Sequence, residues 1–462
     1  AEVGAAEKTE LAAREETAVA SRLMAPPAHP GSIVEESADK ALGITRLTFS
    51  NGVKAIVKPT GVQQDQVLLS ARRFGGQHLV DEQDLASARF AGGLVATMGM
   101  KDFTPLDLRK ILAGRNAGVT LQLGADVDEV GGVAGSKPDE VEAMLQMLWL
   151  RFDGVRRDES LFKSYMAKQA DLLRNRDANP QARFGDAMAD ALYVKNPYRP
   201  RATVLADLAQ VDLDRSIALY RQRFASARGF TFIVVGNVDV EKIKPLLAAY
   251  LGSLPTPDLP LGYRDVGVRF ASGVVKREVK AGTEPRSTVS LSFTGPAAWS
   301  ADEQLRLEAL VEVMNLRIVE VLREKMGVIY TGRISGGIAR VPYQHYLIAA
   351  TLPTAPEQVE RMTTALFAEI ERIKTAGPDQ QDLDKVKRTW VQNWQRNLQS
   401  NAFWAAALGS AELYGTDPHR LLDQMQRAAA ISADDVRLAA QRYFNTANYV
   451  QVVLNPETAT PR

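Results

Sequence analysis

The sequence predicts an α+β protein of two similar domains, each a mostly antiparallel sheet covered by helices. Three observations lead there. The chain repeats itself: Gln222-Arg223-Phe224 matches Gln441-Arg442-Tyr443, and with no gap Phe230 meets Tyr449 and Ile233-Val234-Val235 meets Val452-Val453-Leu454. Upstream, Ile217 meets Val436 and Leu219 meets Leu438, while Asp81-Glu82-Gln83 resembles Asp302-Glu303-Gln304 at the start of a second helical stretch. Strand-like and helix-like segments follow the same order in both halves, and the proline-rich run 255–262 (PTPDLPLG) separates them. Any two α+β domains can end in helix then strand, but ungapped matches through both elements favour duplication. The expected organisation is an N-terminal arm and linker (1–45), a first α+β domain (46–255) and a second (256–462).

Local chemistry justifies each element. The first two dozen residues are charged and alanine-rich, with too thin an apolar stripe for a packed helix, and read as a frayed or partner-docked tail. The linker APPAHPGS (25–32) follows. Residues 46–60 alternate on both sides of Asn51-Gly52, a strong hairpin signal. Residues 66–74 form a strand broken by Gly75-Gly76, and 81–98 a helix. Two short strands lie within 119–133. A helix then opens with Ser136 as N-cap and Pro138 in its first turn. Residues 158–192 and 212–224 are mostly helical, 230–235 is a strand, and a helix follows Asn237-Val238-Asp239.

The second half gives strands at 274–279 and 287–293, then a helix from Asp302 to about Lys325 with an apolar face at Leu307, Leu310, Val311, Met314, Ile318, Val321 and Leu322. Strands follow at 329–335 and 346–351. Helices cover 356–374, 382–399 and 403–414. Ser432 caps the last helix, and the strand 449–454 closes the chain.

Bulk composition excludes several functions. The 462 residues suggest about three domains, or two larger ones. Lys and Arg number 56 and Asp and Glu 55, a net charge of +1, so there is no electrostatic footprint for nucleic acid. No apolar run is long enough to span a bilayer. Cysteine is absent, which removes thiolate metal sites, disulfides and a cysteine nucleophile. The four histidines, His29, His78, His345 and His419, are never spaced for one helical face; each reads as a surface or turn residue. A cysteine-free chain starting at Ala1 leads to the expectation of a periplasmic or otherwise exported protein. Arg72-Arg73 reads as solvated surface, and Trp390 and Trp394, one helical turn apart, as packing residues.

Four segments carry a family resemblance: LTFSNGVKAIVKP, NPYRPRATVLADLAQVDLDRSIALYRQRF, FIVVGNVDVEKIKPLLAAYLGSLP and LREKMGVIY. In this order and spacing they resemble the pitrilysin/insulinase family, the inverted-zincin metallopeptidases, from about Arg46 to the end. The resemblance implies one half of a metallopeptidase clamshell. Active members carry H-x-x-E-H on the first long helix, where two histidines bind zinc and the glutamate acts as general base. Here Arg89, Gly92 and Gly93 stand at those positions, and the last ligand falls near Ala170, with only Asp171 acidic close by. The first domain therefore holds a degenerate zinc motif, no metal or cofactor is expected in this chain, and zinc is expected in a homologous H-x-x-E-H partner subunit.

The candidate catalytic residues are Arg323 and Tyr330, in Leu322-Arg323-Glu324-Lys325-Met326-Gly327-Val328-Ile329-Tyr330. From spacing alone, an arginine in a last helical turn equally complements the helix dipole, and a tyrosine in a strand equally fills a core. The family places an arginine and a tyrosine at this spacing in the half opposite zinc. The resemblance thus implies a non-zinc subunit of a heteromeric zinc metalloendopeptidase acting on peptides or small unfolded polypeptides. The competing expectation is a catalytically inactive scaffold or peptide-binding subunit of a larger complex.

Overall fold

The computed structural model describes residues 23–457; the alanine-rich N-terminal run up to position 22 lies outside them. Among the described residues the strands form two sheets. The first contains β1 (Ile33–Asp39), β2 (Ile44–Phe49), β3 (Lys54–Pro59), β4 (Val67–Phe74), β5 (Ala117–Leu123), β6 (Val127–Ala134) and β7 (Thr231–Gly236), in the order β1-β2-β3-β7-β4-β6-β5. The second contains β8 (Val274–Lys280), β9 (Ser287–Pro296), β10 (Arg333–Ala339), β11 (His345–Thr354) and β12 (Tyr449–Asn455), in the order β10-β11-β9-β12-β8.

The duplication is visible in these orders. Read from its β8 edge, the second sheet runs β8-β12-β9-β11-β10, the counterpart of β3-β7-β4-β6-β5 in the first. Each has one parallel pair, β3 with β7 and β8 with β12, and the rest of the matched neighbours are antiparallel. The two halves are α+β units of one design. β1 and β2 extend only the first sheet.

Helices follow the strands in matching order. The first half has α1 (Leu85–Thr97), α2 (Pro138–Asp153), α3 (Glu159–Arg174), α4 (Pro180–Leu192), α5 (Leu213–Phe224) and α6 (Val240–Tyr250). The second has α7 (Ala301–Arg317), α8 (Val359–Ala376), α9 (Gln380–Leu398), α10 (Asn401–Tyr414) and α11 (Ala433–Tyr443). Capping agrees with the sequence at α11, where the Ser432 hydroxyl accepts from Asp435 N–H and Asp435 answers from the N3 position.

Packing crosses the boundary in both directions. One face of the first sheet is buried on its own helices through Leu47, Leu69, Phe232, Leu148 and Tyr220. On its other face, Ile44, Ile56, Ile233 and Val235 pack against Trp404, Ala405 and Leu408 of α10, a second-half helix. Reciprocally, Phe184 and Ala191 of α4 pack against Val450, Val452 and Leu454 of β12. Each half lends one helix to the other half's sheet, so strands respect the proline-rich divide and helices do not.

Several sequence expectations are corrected. The first sheet begins at Ile33, inside the span 1–45 read as arm and linker. β1 (IVEESAD) is a mostly exposed edge strand, so it lacks the alternation that marks a half-buried one. Ser136 does not cap α2: Lys137 holds that position, and the Ser136 N–H donates to Asp65 Oδ1 at 3.1 Å. The strand expected at 329–335 starts at Arg333: Val328 N–H is still bonded to the Leu322 carbonyl of the preceding helix, and Tyr330 N–H makes one long bond to the Pro353 carbonyl ahead of the regular ladder. Arg73 is not surface: it is 3% exposed, bonded to Asp128 at 2.9 Å and stacked over Phe230. His78 is buried, with Nδ1 2.8 Å from Asp126, so it is not a surface residue either. Trp390 and Trp394 do pack: Trp390 lies against the second core and Trp394 meets Phe403 edge-on.

Candidate functional site

The segment bearing Arg323 and Tyr330 is built at the end of α7. Ser300 caps that helix by accepting from Glu303 N–H, and Leu307, Leu310 and Met314 bury its inner face. From Ile318 to Lys325 the helix widens into a π-helix. Met326 N–H reaches back five residues to the Val321 carbonyl, and Val328 N–H reaches the Leu322 carbonyl, both at 2.9 Å. Wide turns of this kind are rare and occur often at functional sites. Gly327 closes the segment at φ 63°, a left-handed conformation that a β-carbon disfavours.

Buried anchors hold this segment, and its functional candidates are left free. Ile318, Leu322, Val328 and Ile329 are all buried in the second core. Thr354, fully buried, donates its hydroxyl to the Val328 carbonyl. Between these anchors Arg323 is exposed and Tyr330 is 62% exposed. No hydrogen bond or ion pair engages the Arg323 guanidinium or the Tyr330 hydroxyl among the described residues, and none joins them to each other. The structure thus brings the two onto one short segment around Gly327. Tyr330 precedes β10 instead of lying within it, so the core-tyrosine alternative fails. What remains is a permanently charged fork and a phenol donor, both unspent.

The degenerate zinc positions lie on α1. Arg89 is half-buried, and its Nη2 donates to the Pro197 carbonyl at 3.3 Å. A β-carbon on Gly92 would stand 3.0 Å from the Leu121 carbonyl of β5, and one on Gly93 would stand 2.7 Å from the Tyr165 hydroxyl of α3. Burial raises the pKa of that phenol. A guanidinium and two glycines supply no lone pairs toward the spot, and the Tyr165 ring occupies space a histidine would need. The donor set does not fit zinc. Asp171 is exposed and pairs with Arg174 on the same helix. Elsewhere among the described residues no three His, Cys, Asp or Glu side chains converge as metal ligands.

Sequence reasoning missed a cleft where the two halves meet. It has a volume of about 400 Å³ and gathers Arg89, His78, Tyr198, Phe270, Tyr343 and His345 from both sides of the divide. Only NPYRPR, one of the family-like segments, pointed toward it, since it contains Tyr198.

The profile described as the peptidase M16 inactive domain matches residues 211–389, which include the Arg323–Tyr330 segment. That match, and those that follow, make the chain similar to the M16, or pitrilysin, family. The chain is 24% identical over 392 residues to the zinc protease PQQL-like of Arabidopsis thaliana, covering 81% of the chain and 38% of that relative. It is 21% identical over 426 residues to the probable zinc protease PqqL of Escherichia coli K12, covering 90% and 44%. The crystal structure of the periplasmic protease PqqL from Escherichia coli superposes with a TM-score of 0.80 at 19% identity, over 97% of the chain and 49% of that protein. The chain therefore spans less than half the length of these relatives and has the fold of one half of PqqL.

Proposed function

We propose that the chain is the non-zinc half of a zinc metalloendopeptidase, lending Arg323 and Tyr330 to an active site whose zinc is held by an H-x-x-E-H partner half. The substrate is a peptide or small unfolded polypeptide enclosed between the halves, and the setting is periplasmic or otherwise exported. One observation carries this reading: both side chains are held at the surface by buried neighbours, yet have no hydrogen-bond or ionic partner among the described residues.

The chemistry suits the pair. When water adds to a peptide carbonyl, charge develops on its oxygen. The Tyr330 hydroxyl and Arg323 guanidinium donate hydrogen bonds to that oxygen or to the next carbonyl along the substrate. Losing one such donor costs roughly a hundred- to a thousandfold in rate.

The test mixes the chain with its H-x-x-E-H partner half and follows peptide turnover. Tyr330→Phe and Arg323→Ala are each expected to lower turnover by roughly a hundredfold or more. Unchanged turnover in both variants would leave only a scaffold or peptide-binding subunit.

A further inference from the structure

The cleft between the halves has a chemical bias of its own. Its aromatic wall is continuous: Tyr193 stacks on Phe270 with centroids 5.1 Å apart, Phe270 meets His345 edge-on at 5.2 Å, and His345 stacks on Tyr343 at 4.2 Å. The wall is fixed to the first half, because Tyr193 and Phe270 form a backbone bridge and Val194 N–H donates to the Arg269 carbonyl at 3.0 Å.

Three basic side chains around the cleft are already engaged by carboxylates, and one guanidinium is not. Arg201 is bidentate with Asp207, at 2.7 and 2.6 Å. Arg199 pairs with Asp190, and His78 with Asp126. Among the described residues Arg89 has no carboxylate partner, and its hydrogen bond goes to the Pro197 carbonyl. A guanidinium has five N–H donors, so most of its capacity remains open. Burial, together with the neighbouring positive charge of Arg201, holds the Arg89 pKa below its usual range against the weaker attraction of Asp207, which is itself bonded to Arg201, so the protonated form is short of solvation and of a direct counter-charge. An anion would supply both.

We propose that the cleft is a carboxylate subsite, in which Arg89 takes the C-terminal carboxylate of a peptide and the Phe270–His345–Tyr343 wall holds its apolar last side chain. A planar fork matches a carboxylate with two parallel hydrogen bonds. The rings select an apolar or aromatic residue beside it, and the volume accommodates one or two residues. The residue standing where family members have a zinc ligand has thus become an anion receptor. This goes beyond the proposed catalytic role and stands without it, since binding at Arg89 needs neither a second half nor turnover.

The experiment is an NMR titration of the full chain alone with acetyl-Ala-Phe bearing a free carboxylate, with its C-terminal amide, and with acetyl-Glu amide. The free acid is expected to bind at least about tenfold more tightly than either amide, and to weaken with added salt. Arg89→Gln removes the preference for the acid, Arg89→Lys keeps part of it, and Tyr343→Ala weakens acid and amide alike. Equal binding of acid and amide, no saturable binding of the acid, or a retained preference in Arg89→Gln would overturn the proposal. Acetyl-Glu amide binding as tightly as the acid would overturn the assignment to a chain terminus. Should Arg89→Gln fail to fold, the comparison on the unaltered chain decides.

Discussion

Two arginine sites in this chain are built on opposite plans. In the first half, Arg73 and Arg223 share Asp128 at 2.9 and 2.8 Å, and all three are at least 95% buried. Their remaining donors go to the carbonyls of Ser226, Arg228 and Pro260. Burial lowers the Arg73 pKa to about 10, against the attraction of Asp128. In the second half Arg323 has no such partner among the described residues and is exposed, as is Tyr330 seven residues on. The first arrangement is complete within the chain. The second leaves its donors to solvent or to another molecule. An arginine therefore gives no functional information by its type; the information is in whether its donors are already taken.

The contrast is broken most severely at Asp128. Asp128→Asn leaves two buried guanidiniums facing a neutral amide and is expected to cost about 3–5 kcal/mol of stability, read as a lower urea midpoint with unchanged slope. A loss below about 1 kcal/mol would mean that the cluster is hydrated and the contrast overstated.

The opposite result is expected at the free pair. Tyr330→Phe and Arg323→Ala should leave the melting curve of the chain within about 0.5 kcal/mol of the parent, because no hydrogen bond or ion pair among the described residues is lost. In the two-half peptidase proposed above, the same changes are expected to cost about 2.7–4 kcal/mol of transition-state stabilisation. A thermal shift as large as that of Asp128→Asn would make the pair structural.

A smaller effect sharpens the contrast from the side of positioning. Thr354→Val keeps shape but strands the Val328 carbonyl, for about 1–3 kcal/mol of stability, and loosens the backbone two residues before Tyr330. Turnover by the assembled enzyme is expected to fall while affinity for peptide changes little.

The smallest effect concerns His419, which joins Asp39 of β1 at 2.9 Å and Asp417 at 2.7 Å. Its pKa is raised, first by the hydrogen bond to Asp417 and then by Asp39. A raised folded pKa means that the stabilisation is full below the unfolded value of about 6.5 and is lost as pH rises through the folded one. The melting difference between the parent and His419→Asn is therefore expected to be widest below about pH 6.5 and to close above it. A difference independent of pH would show that the imidazole acts by packing alone.

Much of the fold was legible because it is written locally. The Asn51-Gly52 hairpin, the Ser432 cap and the repeat linking Gln222-Arg223-Phe224 to Gln441-Arg442-Tyr443 need only neighbours or a register to be read. Arg73 was misread because its counter-ion Asp128 is on another strand, β6. His78 and His345 looked like isolated turn residues because the cleft that collects them forms only when the halves meet. The π-helix at Ile318–Lys325 was invisible for a different reason: its buried residues, Ile318 and Leu322, keep ordinary α-helical spacing. Arg323 and Tyr330 were nominated by family spacing, which could not tell whether their donors were free.

The exchange of α4 and α10 has a mechanical consequence. With each half buttoned onto the other's sheet, a pull on one sheet is carried directly to the second. The chain should turn as a single lever, with no joint at its proline-rich middle. If the proposed second half exists, breathing that admits a substrate would pivot at the seam between the two halves, and a crosslink between Trp404→Cys and Ile56→Cys should leave that motion unimpeded.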